Sequence, residues 1–282
     1  MSIIVSLKGL LLRYSTTPPL THTVVTTFHK KGYDVYGRRC IESFLKYWPS
    51  DVSLLVYAEG VDVDIRDPRL TVINQTESVP RLHKFRELYG DNPYANGADP
   101  KGSGETNNFR WDAIRFANKV FAVTEAIERV KGVSDQLIWL DADTVTHTQF
   151  PKKIIDNLAP RGNQLAAYLN RKSYPECGWV GYNLRHPAID KFAAEFEDIY
   201  LSGRFLEMKE SHDSFVFWQI VKEMERNREA SFKYLGSSMA SGHIFINSVL
   251  GGYLDHLKGD RKVDGKSRAS DLYTKRKESW WR

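Results

Sequence analysis

The segment that most constrains this chain is Leu137-Ile138-Trp139-Leu140, an apolar run followed at once by Asp141-Ala142-Asp143. An unbroken run of this kind predicts a strand buried on both faces, as in the centre of a parallel sheet. Side chains alternate along such a strand, so Asp141 and Asp143 leave its end on the same side. Two hard oxygen donors then converge on one point, which suits Mg²⁺ or Mn²⁺. A lone D-x-D more often marks a solvated loop or a helix cap. The strand before it makes this one a candidate site, because open α/β sheets bind ligands at the carboxyl ends of their strands.

The rest of the chain fits an α/β fold. Residues 23–28 are rich in β-formers, and within 33–48 Tyr36, Cys40, Phe44 and Trp48 recur four apart, as on one helix face. Residues 53–57 and 70–73 predict a second and a third strand. A helix is expected over 108–130, with Phe109, Ala113, Phe116, Ala117, Val120, Phe121 and Ile127 as its apolar stripe. Alternating strands and helices predict a sheet with helical crossovers. Residues 90–104 are dense in turn formers and predict a lid or binding loop.

A second chemical signal lies far downstream, where His256, Gly259 and Lys262 have the spacing H-x-x-G-x-x-K. Imidazole can supply a third metal ligand, glycine lets a diphosphate approach the backbone, and lysine can neutralise a departing phosphate.

On Asp141-Ala142-Asp143 after a hydrophobic strand, and on His256, Gly259 and Lys262, the chain resembles the metal-dependent GT-A glycosyltransferases, in particular the glycogenin-like families. By motif order the resemblance covers roughly residues 20–262, and only these two motifs are specific. Val263-Asp264 follows the lysine where the family often has Pro-Trp, so acceptor and stereochemistry do not carry over. The resemblance implies a GT-A, Rossmann-like mixed sheet flanked by helices, forming one domain over 21–265 with nucleotide-binding and acceptor-binding halves. An arm over 1–20 precedes it, and a basic tail over 266–282 follows. It also implies Mn²⁺ or Mg²⁺ held by Asp141, Asp143 and His256, and transfer of a hexose, glucose foremost, from a UDP-sugar to a hydroxyl.

Further site residues are expected around this centre. Thr26 and Thr27 could read a pyrimidine edge, with Phe28 or Tyr36 stacked on the ring. Arg110, Arg115 and Lys119 resemble the basic donor contacts that GT-A enzymes carry on the helix before the D-x-D strand; the rival is an ordinary charged helix surface. In Glu176-Cys177-Gly178-Trp179-Val180-Gly181-Tyr182-Asn183, Gly178 and Asn183 resemble a segment under the donor sugar, with Trp179 or Tyr182 as a flat surface; the rival is a buried hairpin. Ser211 or Asp213 could cap the helix that begins there. By its place in the chain, Asp213 also resembles the carboxylate facing the acceptor, a base in an inverting reaction or an orienting group in a retaining one.

The net charge of +5 and pI near 9.0 concentrate in Lys258, Arg261, Lys262, Lys266, Arg268, Lys275, Arg276, Lys277 and Arg282. Such a tail could meet donor phosphates, anionic lipid or nucleic acid, so the acceptor is expected to be a hydroxymethylated pyrimidine in DNA, as for phage-type enzymes, or a glycan or lipid-linked sugar. A non-catalytic nucleic-acid-binding module would not need Asp141, Asp143 and His256 together, and a phosphotransferase or nuclease would need more acidic ligands. Cys40 and Cys177 are too few for a disulfide framework, which predicts a reducing cytoplasm. No run approaches the roughly 20 apolar residues of a membrane span. Residues 1–14, interrupted by Lys8 and Arg13, read as an arm or edge strand rather than a leader.

Overall fold

The run at 137–140 is a central strand. In the computed structural model, which describes residues 20–237, 239 and 242–282, the strands are β1 (His22–His29), β2 (Val52–Glu59), β3 (Leu70–Asn74), β4 (Gln136–Leu140), β5 (Thr144–Thr146), β6 (Gln164–Leu169), β7 (Glu176–Asn183), β8 (Ser231–Tyr234) and β9 (Leu254–His256). The helices are α1 (Lys30–Gly32), α2 (Arg38–Tyr47), α3 (Gln75–Ser78), α4 (Pro80–Tyr89), α5 (Ala113–Val130), α6 (Lys152–Leu158), α7 (Ile189–Leu201), α8 (Asp213–Arg226) and α9 (Arg261–Asp264). The arm expected over 1–14 lies outside the described residues.

Seven strands form one mixed sheet in the order β3-β2-β1-β4-β7-β6-β8. β3, β2, β1 and β4 run parallel, β7 is antiparallel to both β4 and β6, and β8 is parallel to β6. Every residue of β4 is buried, and its side chains alternate between two cores. Leu137 and Trp139 join α4, α5, α7 and α8 on one face; Ile138 and Leu140 join α2, α6 and β9 on the other. The expected α/β sheet flanked by helices is the one observed.

Local departures from the sequence pattern shape the site. The helix expected over 33–48 contains a π-helical turn at Tyr33–Gly37 between α1 and α2. An inserted π-turn shifts the register of a helix face. Cys40, Phe44 and Trp48 therefore stay buried, while Tyr36 is turned out to a cleft. The helix expected from 108 begins at Ala113, because the Asp112 side chain accepts from the Arg115 N–H at 3.1 Å and caps it there. Phe109 falls on a preceding 3₁₀ turn and is 47% exposed, so it leaves the predicted stripe. The 90–104 loop is a chain of turns, with the Asp99 carboxylate accepting from the backbone N–H groups of Lys101 and Ser103.

β5 and β9 form a separate antiparallel ribbon, with Thr144 opposite His256, Val145 opposite Asp255 and Thr146 opposite Leu254. Residues 266–282 pack beside it. The Trp281 indole donates to Gly251 O at 2.7 Å, and Arg276 to the carbonyls of Ile246 and Ser248. Much of the basic excess is spent internally, with Lys258 on Glu176, Arg261 on Asp271, Lys262 on Asp143, Arg268 on Asp260 and Asp264, and Arg276 on Glu278. Among the described residues no helix is long and apolar enough to cross a membrane.

Candidate metal and donor site

β4 ends at Leu140, the Asp141 N–H bonds to Gly178 O on β7 at 3.0 Å, and a turn through Ala142 and Asp143 leads into β5. Both carboxylates do meet, but the turn brings Asp143 in, since the strand stops before it. The β5–β9 pairing then sets His256 beside them, and Leu257 N bonds Asp143 O at 2.8 Å. One ligand atom each from Asp141, Asp143 and His256 fits within a span of 4.8 Å.

His256 Nε2 lies 3.1 Å from Asp143 Oδ1 and 3.5 Å from Asp141 Oδ2. Two ammonium groups complete the ring. Lys119 on α5 sits 3.1 Å from Asp141 Oδ1, 2.8 Å from Asp213 Oδ2 and 2.6 Å from Cys177 O, and Lys262 sits 2.7 Å from Asp143 Oδ2. The Trp139 indole donates to Asp141 Oδ1 at 2.6 Å. Burial opposes charging His256, yet Asp143 and Asp141 outweigh it and hold the imidazole up at about 10. Burial likewise works against the Asp141 carboxylate, while Lys119 and His256 keep it well below its usual range. Burial also opposes the charge of Lys119, and the Asp141 and Asp213 carboxylates hold the ammonium protonated. Cations thus crowd a pair of carboxylates, and one divalent ion could replace part of that charge.

The donor set suits such an ion. Two carboxylates and an imidazole nitrogen face one point, and Glu176 stands 3.6 Å behind His256 Nδ1, where a carboxylate can orient a ligand histidine. Asp141 is the most open of the three, its side chain 28% exposed against 13% for Asp143 and 5% for His256. It borders a cleft of about 230 Å³ at the carboxyl ends of β1, β2 and β4. Its walls include Tyr36, Glu59, Arg115, Phe116, Lys119 and Lys262. Burial and Asp143 push the Tyr36 phenol up to about 12, so it remains a hydrogen-bond donor. A larger hollow of about 920 Å³, from Ala58 to Asn74, contains none of the expected site residues.

Around the cluster the expected residues divide. Lys119, Arg115 and Lys262 reach the cleft, and Gly259 adopts φ +60° in the turn before α9 with open space around it. Arg110 lies on the exposed 3₁₀ turn, outside the cleft lining. Thr26 is fully buried on the far side of β1, and Phe28 packs on Tyr33 with ring centroids 5.3 Å apart. Thr26 is therefore out of reach of a base, whereas Phe28 borders the cleft together with Tyr36 and Phe116 but is only 2% exposed. Thr27 borders the cleft, but its hydroxyl is within bonding distance of Tyr57 O and Gln75 Oε1.

Further placements correct the sequence reading. Asn183 pairs with Gln136 at the opposite end of β7, roughly 16 Å from Gly178 at the rise of a strand, and its amide holds Gly162 O and Gln164 O. Gly178 lies against His256, where a methyl group would come within 2.8 Å of Cε1. Trp179 and Tyr182 are core residues, 1% exposed, so neither offers a platform. His212, not Ser211 or Asp213, caps α8, and Asp213 is 4% exposed beneath Lys119. Glu176 and Glu59 were not anticipated. The period-two spacing of Glu176 and Gly178 held a signal for the former, since both face His256.

Neither a family model nor a curated protein matches the sequence. Among solved structures, mouse xyloside xylosyltransferase 1 in its apo form is similar, with a TM-score of 0.47 and 13% identity over 76% of this chain and 84% of that chain.

Proposed function

We propose that this chain is a metal-dependent glycosyltransferase that takes a nucleotide-sugar donor, UDP-glucose foremost, with Asp141, Asp143 and His256 as ligands for Mn²⁺ or Mg²⁺. The observation that carries the reading is the meeting of Asp141 and Asp143 with His256 and Lys262, more than a hundred residues on, at the carboxyl ends of parallel strands. When bound, the ion supplies positive charge against the diphosphate as the sugar–phosphate bond breaks. Lys262, on its flexible stem, can leave Asp143 for a phosphate oxygen, and Arg115 lines the same cleft. Lys119 fixes the Asp141 carboxylate, and Asp213 holds Lys119. In this reading Asp213 is a positioning residue, since its burial and ion pair disfavour contact with an acceptor hydroxyl.

A hydroxyl-bearing glycan or lipid-linked sugar is the acceptor class we favour over DNA. The charge argument for DNA weakens where Arg261, Lys262, Arg268 and Arg276 have acidic partners. Incubation with a set of nucleotide sugars and Mn²⁺ tests the donor reading. Slow release of free sugar from one donor is expected, abolished in Asp143→Asn; phosphodiester cleavage, or no donor turned over or bound, would overturn it.

A further inference from the structure

The β5–β9 ribbon carries His256 and directly follows Asp143, yet it spans only three residue pairs. Two-stranded ribbons are marginal without support. On one side α2 and its flank supply it, with Ser43 Oγ accepting from Thr146 N at 3.0 Å and the Trp48 indole donating to Thr146 Oγ1 at 2.9 Å. On the other side the support converges on Asp255, the residue before His256, which is fully buried. Its carboxylate accepts from Ser267 N at 2.8 Å, Ser267 Oγ at 2.6 Å and the Trp280 indole at 2.9 Å. Trp280 also stacks on His147, one residue beyond β5, with centroids 5.1 Å apart and planes 6° from parallel. One indole therefore contacts both strands' segments, at Asp255 on β9 and at His147 just beyond β5.

We propose that Trp280 and Ser267, acting through Asp255, are positioning residues for the metal cluster, so that segment 266–282 sets the affinity of the site without touching the ion. The inference rests on the metal-dependent reading. Side chains alternate along β9, so Asp255 points away from the cluster while His256 points into it. A fixed Asp255 then fixes the backbone from which the imidazole projects. Losing a group bonded directly to a metal ligand commonly weakens metal affinity by 10- to 100-fold, and donors one step further out should act toward the lower end of that range.

The test uses the full chain, with Mn²⁺ titrated calorimetrically and Tm measured alongside. Trp280→Phe keeps a ring on His147 and removes the donor to Asp255, and Ser267→Ala removes a second donor. Trp281→Phe is the control, since it deletes an indole bond to Gly251 O that does not involve Asp255. The expected result is Mn²⁺ affinity about tenfold weaker in the first two variants and within twofold of wild type in the control. Equal affinity in all three, or equal losses that simply follow Tm, would overturn the inference. Failure of the wild-type chain to bind Mn²⁺ would instead overturn the metal reading on which it stands.

Discussion

Gly178 lies flat against the imidazole of His256, and a Cβ there would stand 2.8 Å from Cε1, 2.9 Å from Nδ1 and 3.2 Å from a Phe245 ring carbon. The first two are closer than real Cβ contacts come, the third is tight, and both His256 and Phe245 are buried. The glycine makes room for the imidazole of His256, which we propose as a metal ligand. Gly178→Ala should push His256 off the carboxylates and destabilise the fold by about 1–3 kcal/mol, the usual range for overpacking. Mn²⁺ calorimetry and urea unfolding on the same protein would check both effects, and unchanged affinity would refute the assigned role.

Removing a ligand should separate binding from folding. Asp143→Asn and His256→Ala are expected to weaken Mn²⁺ binding on the order of 100-fold or more and to remove donor turnover. Far-ultraviolet circular dichroism should remain that of wild type. Turnover persisting in metal-stripped buffer would count against the cluster.

Lys119 is enclosed by Asp141, Asp213 and the Cys177 carbonyl, and Asp213 is almost fully buried. Lys119→Met leaves the Asp213 carboxylate without its cation, which should cost about 3–5 kcal/mol of stability. Adding Asp213→Asn removes the stranded charge and should restore part of the loss. A double-mutant cycle in urea gives the coupling, and additive effects would show the pair to be independent.

The His147 ring between Trp280 and Trp281 should make stability depend on pH. Burial pushes its imidazole down to about 4, from 6.5 in the unfolded chain. Below pH 6.5 the unfolded state therefore takes up a proton that the folded state refuses until about pH 4, and stability falls across that window. The ring is partly exposed, so the contribution should be on the order of 1–2 kcal/mol, less than the full shift implies. Unfolding of His147→Gln at pH 7 and pH 4.5 should show a smaller difference than wild type; an equal difference would refute this.

Part of the centre is legible in the sequence. The run 137–140 announced a strand buried on both faces, and Leu137 and Trp139 do enter one core while Ile138 and Leu140 enter the other. Arg110, Arg115 and Lys119 are candidates only through the resemblance to GT-A enzymes, since charge on a helix by itself equally fits an ordinary surface. Which basic residue faces the cleft was not visible. Arg110 sits before the Asp112 cap, on a 3₁₀ turn outside the helix, and the π-helical turn at Tyr33–Gly37 directs Tyr36 toward the cleft.

The sequence by itself determined the chemistry available: two carboxylates after a buried strand, and a histidine, a glycine and a lysine at fixed spacing. Local periodicity specifies these because neighbouring residues share one backbone conformation. Only the tertiary structure decided that Thr144 pairs with His256, that Asn183 stands at the wrong end of β7, that Asp213 serves Lys119, and that Trp280 reaches Asp255. Those outcomes depend on strand register and on packing between segments far apart in the chain. Spacing along one segment carries no information about the side chain that another will place opposite it.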